Sequence, residues 1–118
     1  MGNKFEDLIA WQKSRETLKL VLTAFEKSRN QWFVEQLFRA CLSVTNNIAE
    51  GYERNNKKQF IYFLNISKAS CGEVRSMLYT ANDMGYCSEE TGDKLMKMCH
   101  ENSKIIKGLI NYQKSKML

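Results

Sequence analysis

Proline is absent from the 118 residues and glycine occurs only six times, so the chain has few of the residues that break structure into turns. Average usage would supply about six prolines. Long elements with few connections follow. Histidine is nearly missing too: His100 is the single one, which leaves no second imidazole for a metal site or for paired acid–base work. The four cysteines, Cys41, Cys71, Cys87 and Cys99, lie 30, 16 and 12 residues apart with no C-x-x-C pair, a spacing that argues against a four-ligand zinc site. Gly-rich phosphate loops, nucleophile elbows, H-E-x-x-H and paired E-x-x-H motifs are all lacking. No apolar run approaches the roughly 18 residues of a membrane span, and Glu6 and Asp7 interrupt the start where a signal peptide needs an apolar stretch. The expectation is a cytoplasmic protein with reduced thiols and no cofactor.

What is present fits one folded domain over residues 1–118. Hydrophobic residues make up 43% and charged residues 26%, far from the composition of disorder. Lysine and arginine total 18 against 13 acids, a net charge of +5, which permits a polyanionic partner without requiring one.

Apolar residues recur at spacings of three and four almost throughout, and alternation never persists long enough for a strand. The first segment, about residues 7–27, carries Leu8, Trp11, Leu18, Leu22 and Phe25 as its core stripe. The polar stretch 26–31 forms a loop. The second, about 32–52, places Leu37, Cys41, Val44 and Ile48 on one face with Phe33 and Ala40 beside them. A third starts near Lys57 with Asn56 as its N-cap, runs Phe60, Leu64, Ser67, Cys71, Val74, Leu78 and Ala81, and stops at Gly85. Ser88 caps a fourth, with Glu89, Glu90 and Asp93 at its positive end and Leu95, Met98, Cys99, Asn102, Ile105, Ile106, Leu109 and Tyr112 facing inward. Four long amphipathic helices joined by short connections predict an all-α, antiparallel up-down-up-down four-helix bundle.

Candidate chemistry is sparse. His100 reads as a helix-surface histidine, because positions 93–95 hold Asp93, Lys94 and Leu95 rather than the upstream arginine of small helical ribonucleases. Cys41, Cys71 and Cys99 fall on core stripes, and Cys87 sits in a turn as the most exposed thiol. In the second segment Arg39, Ser43, Asn47 and Glu50 form a polar stripe beside the apolar one. Two readings are open: a solvated face, or an interhelical hydrogen-bonded network with Ser70 and Glu73 of the third helix.

The run Asn47-Ile48-Ala49-Glu50-Gly51, preceded by Gln36-Leu37-Phe38-Arg39-Ala40-Cys41-Leu42-Ser43-Val44, resembles the signature of the bacterial proteins named after the 23S rRNA intervening sequence, also labelled the S23 ribosomal protein family. The opening Phe5-Glu6-Asp7-Leu8-Ile9-Ala10-Trp11-Gln12-Lys13 is similar to that family's start. The third-helix run Phe60-Ile61-Tyr62-Phe63-Leu64, then Ser67-Lys68-Ala69-Ser70-Cys71-Gly72-Glu73, resembles its later motif, which commonly has glycine in place of Ala69. The resemblance covers nearly the whole chain. It implies a four-helix bundle assembled as a homopentamer and encoded, in some bacteria, within inserts in large-subunit rRNA genes. A related branch, the accessory proteins of diversity-generating retroelements, forms basic barrels that contact a reverse transcriptase and nucleic acid. No catalytic residues carry over.

Charge patterning gives the most specific expectation. From Lys94 to the C-terminus six lysines face a single acid, Glu101, so this helix alone carries a balance equal to that of the whole chain. At about 100° per residue, Lys94, Lys97, Lys104, Lys107 and Lys114 fall on the side away from Leu95, Ile106 and Leu109. This face is either a sequence-indifferent phosphate-binding surface for RNA or DNA, or a solvated exterior whose cations suit the helix's negative end. The corresponding functions are a non-enzymatic oligomeric scaffold for nucleic acid or a nucleic-acid enzyme, and a protein-interaction module with no nucleic-acid ligand. Ile9, Leu20 and Ala24, with Ile61, Tyr62 and Tyr79, lie off the core stripes and point to a homo-oligomer.

Overall fold

The computed structural model describes residues 4–117, so residues 1–3 and 118 of the expected domain lie outside the described part. A short 3-10 turn, Phe5–Asp7, leads into four helices: α1 (Ile9–Phe25), α2 (Gln31–Glu53), α3 (Lys57–Asp83) and α4 (Glu89–Ser115). The expected caps are formed. The Asn56 side chain accepts the Gln59 amide at the head of α3, and the Ser88 side chain accepts the Thr91 amide at the head of α4. Gly85 takes a φ of +69° in the α3–α4 turn, the left-handed region that glycine enters without strain.

Each helix packs on its neighbours in sequence, and α4 closes the ring against α1. The diagonal pairs α1/α3 and α2/α4 meet only through side chains in the core among the described residues. The result is an antiparallel four-helix bundle, 48 Å long and 19 Å across. Its core has two clusters. One gathers Val21, Phe25, Phe33, Leu37, Leu78 and Leu95; the other gathers Leu8, Ile48, Phe60, Leu64, Ile106 and Ile110. Where they meet, Ser14, Thr17, Asn102 and the thiols of Cys41, Cys71 and Cys99 surround a void of about 10 Å³. The Asn102 amide donates to Thr17 Oγ1 at 2.7 Å across α4 and α1, whereas Ser14 Oγ is buried with no hydrogen-bond partner.

Every expected stripe residue of α2 and α3 is buried. Helix α1 is different. Its inward face is Ala10, Ser14, Thr17, Val21 and Phe25, so the expected stripe is turned by roughly 80° at 100° per residue. Leu18 and Trp11 lie at its edge, and Leu22 is 38% exposed. The polar layer accounts for this: Thr17 faces inward to receive Asn102. In α4 the inner face runs on to Ile110 and Gln113, while Tyr112 is 45% exposed. Ile106 and Ile110, four apart, keep pace with the 3.6-residue turn where the expected series ended on Leu109 and Tyr112.

Burial holds the core thiols in their neutral form. Cys41 is pushed up to about 12 by burial and then by the neighbouring Cys99 and Cys71, and Cys99 to about 12 by burial and then by Cys71. Cys71 rises to about 11 through burial, against the opposing pull of Arg75 and Lys68. A thiol whose pKa is higher folded than unfolded holds its proton longer in the native state. Stability is therefore full below about pH 9 and falls as pH rises from there toward 12. Denaturant melts should show that loss above pH 9, and iodoacetamide at pH 8 should modify Cys87 alone in the native protein but all four cysteines in urea.

Two glycines separate close approach from helix propensity. A Cβ on Gly51 would lie 2.7 Å from Phe63 Cβ, whereas one on Gly72 meets nothing within 4 Å. Gly72→Ala should stabilise by about 1 kcal/mol, the ordinary helix preference. Gly51→Ala should instead destabilise by about 1 to 3 kcal/mol through overpacking, as urea unfolding will show.

Candidate nucleic-acid interface

All five lysines of the expected basic face, Lys94, Lys97, Lys104, Lys107 and Lys114, are exposed along α4, and none is in an ion pair among the described residues. Helix α4 places them there because Leu95, Cys99, Asn102, Ile106 and Ile110 fill its inner face. Its acids gather at the opposite end: Glu89 and Glu90 sit in the first turn, where the helix dipole favours negative charge, and Lys114 sits in the last.

The surroundings of the lysines differ along the helix. Toward its N-terminus, Lys94 and Lys97 share a shallow depression of about 440 Å³ with Glu90, Asp93 and Glu101. Three carboxylates beside two ammonium groups leave little net field. Farther along, Lys104 and Lys107 line a groove of about 360 Å³ with His100, Ser103, Gly108 and Asn111, and Lys68 of α3 forms its other wall. That groove has no carboxylate in its lining. Lys68 was not singled out by periodicity, because in sequence it is one polar residue flanking the stripe positions Ser67 and Cys71. A further surface recess, about 580 Å³, lies by the α2–α3 turn and mixes Glu53 with Lys57.

The expected polar network is smaller than its six residues. Ser43 Oγ and Ser70 Oγ are 2.7 Å apart across α2 and α3, and Asn47 Nδ2 donates to Ser43 Oγ at 3.0 Å and to the Ser43 carbonyl at 2.8 Å. Below them Ser67 Oγ donates to the Val44 carbonyl at 2.7 Å. Arg39 and Glu50 do not join in. Arg39 turns along its own helix to Glu35 at 3.2 Å, and Glu50 pairs with Arg54 at 2.9 Å, both in exposed ion pairs four residues apart. Arg54 also stacks over the Phe63 ring at 5.0 Å, which draws Glu50 away from Ser70. Glu73 is exposed on α3. The interhelical contact is thus a hydroxyl–amide chain without charge.

That correction sets an expectation for stability. Glu50→Ala should cost no more than about 1 kcal/mol, since exposed ion pairs contribute little. Ser70→Ala, which removes a nearly buried interhelical hydrogen bond, should cost about 1 kcal/mol or more in the same urea titration.

Comparison with known proteins gives two findings. Residues 6–108 match the family model described as 23S rRNA-intervening sequence protein. The fold is similar to a 1.70 Å crystal structure of a protein of unknown function from the S23 ribosomal protein family of Bacteroides thetaiotaomicron, with a TM-score of 0.80 and 20% identity over 87% of this chain and 96% of that one. Among curated proteins, none matches.

Proposed function

The chain belongs to the 23S rRNA-intervening sequence protein family, and from that premise we propose a non-enzymatic, cytoplasmic, oligomeric scaffold that holds RNA or DNA by its phosphates along α4. The observation that carries this reading is the row of five exposed lysines without ion-pair partners. Ammonium groups on flexible stems act on phosphate oxygens as point charges and carry no base readout, so binding is sequence-indifferent and weak per subunit. Repetition of the face around a ring then multiplies it through avidity.

Support for an oligomer comes from α1. Its apolar side chains spread over roughly 200° of arc, from Ile9 and Leu20 on one flank to Trp11 and Leu22 on the other. Ile9 is 62% exposed and Leu22 38%. Tyr62 and Tyr79 of α3 are also largely exposed, whereas Ile61 is half-buried. A second copy covering these residues gives a homo-oligomer, and the family resemblance sets the number at five.

Filter binding of mixed RNA and DNA fragments tests the reading. Retention is expected at about 50 mM salt and should fall steeply by about 200 mM as condensed counterions cease to drive binding. Lys104→Glu with Lys107→Glu should weaken it at least about tenfold. If neither nucleic acid is retained at low salt, the protein-interaction module takes its place; a light-scattering mass of one chain at micromolar concentration removes the oligomer.

A further inference from the structure

Among the described residues, every lysine and arginine is exposed except two, Lys68 and Arg75, which are half-buried. Both belong to α3, seven residues apart, and so lie on one face of that helix about 10 Å apart along its axis. Neither has an ion-pair partner. Lys68 forms the α3 wall of the groove whose α4 wall holds Lys104, Lys107 and His100. Arg75 lies outside that lining. A half-buried cation beside other cations is disfavoured by desolvation and by mutual repulsion, and globular proteins ordinarily relieve that with a carboxylate. The α3–α4 groove supplies none.

We propose that the α3–α4 groove is the phosphate-binding site itself, a two-walled clamp in which Lys68 faces Lys104 and Lys107 across a nucleic-acid backbone. This rests on the nucleic-acid reading above and narrows it. Lys94 and Lys97, although exposed on the same helix, contribute little, because Glu90, Asp93 and Glu101 share their depression and repel phosphate. His100, Ser103 and Asn111 add hydrogen-bonding groups along the α4 wall. From His100 to Asn111 that wall is about 16 Å long at 1.5 Å per residue. Gly108 leaves room between them for the backbone to approach, since nothing lies within 4 Å of where its Cβ would be. The lining holds no aromatic ring on which a base would stack, so the ligand is the phosphodiester chain and not a particular sequence.

The test is fluorescence anisotropy with a labelled 20-nucleotide single-stranded RNA and a 20-base-pair DNA duplex of mixed sequence, titrated with the full chain at several salt concentrations. Lys68→Gln, which keeps the stem and removes the charge, should weaken binding about tenfold at 50 mM salt and reduce the slope of log K against log salt by about one contact. Lys94→Glu with Lys97→Glu, a far larger change of charge, should shift affinity less than about threefold. Thermal melts of each variant show that the fold is intact. If wild type binds and Lys104→Glu with Lys107→Glu abolishes binding while Lys68→Gln leaves it unchanged, the clamp is wrong and the α4 scaffold reading survives. A loss from the Lys94 and Lys97 pair as great as from Lys68→Gln also overturns the clamp. Absence of binding by wild type overturns both.

Discussion

Where α2 turns into α3, the missing side chain of Gly51 lets the two helices approach until Phe63 Cβ fills the space a Cβ on Gly51 would take. One turn and a half farther along, Ser67 Oγ reaches the Val44 carbonyl, and beyond it Ser43 meets Ser70. These contacts recur along a single seam, so a shift of α3 by one residue along α2 would unmake all of them together. Register along this seam sets the position of Lys68, which follows Ser67 directly, and hence the wall that α3 presents to α4. The basic groove is a consequence of the α2–α3 fit.

Helix α1 plays another part. Its contacts with α2 and α4 are less extensive than those of α3, and the first half of its buried face, Ala10, Ser14 and Thr17, is made of small and polar residues. The Asn102 to Thr17 hydrogen bond compensates by fixing α1 against α4 at one height, as a buried polar pair specifies alignment that apolar packing leaves loose. With that face inward, Ile9, Leu20 and Leu22 on its flanks stay in contact with water. A bundle built this way leaves apolar surface exposed, and the proposed homo-oligomer rests on that surface.

How far the sequence was legible follows from which forces acted alone. In α2 and α3 the large apolar residues and the true inner face coincide, so periodicity located Leu37, Ile48, Leu64 and Leu78 correctly. In the first segment periodicity located Leu8 and Phe25 correctly, but Trp11, Leu18 and Leu22 are flank residues, and Thr17, which faces the core, carries no apolar signal. The polar stripe of α2 misled for a related reason: Arg39 and Glu50 had partners four residues away on their own helix, Glu35 and Arg54, and local pairing won over reaching across. The caps at Asn56 and Ser88 were legible because they are short-range chemistry. Lys68 was not, because a groove between two helices has no period in either. Its one trace in sequence is a second cation, Arg75, two helical turns later on the same face.

The charge itself makes a further distinction that a sum over the chain conceals. At the N-terminal end of α4 the dipole draws in Glu89 and Glu90, and these acids, with Asp93 and Glu101, offset the nearby lysines. Nothing in that arrangement asks for a ligand. Around the α3–α4 groove no carboxylate lines the walls, the dipole now favours cations, and α3 adds Lys68, which is partly withdrawn from water. Each added cation raises the repulsion felt by the others, and partial burial weakens the screening that water and salt provide. An outer face shaped only by solubility would spread such charges or alternate their sign, as the first half of α4 does. The second half concentrates them in a concave seam, an arrangement that an anion stabilises and solvent alone does not.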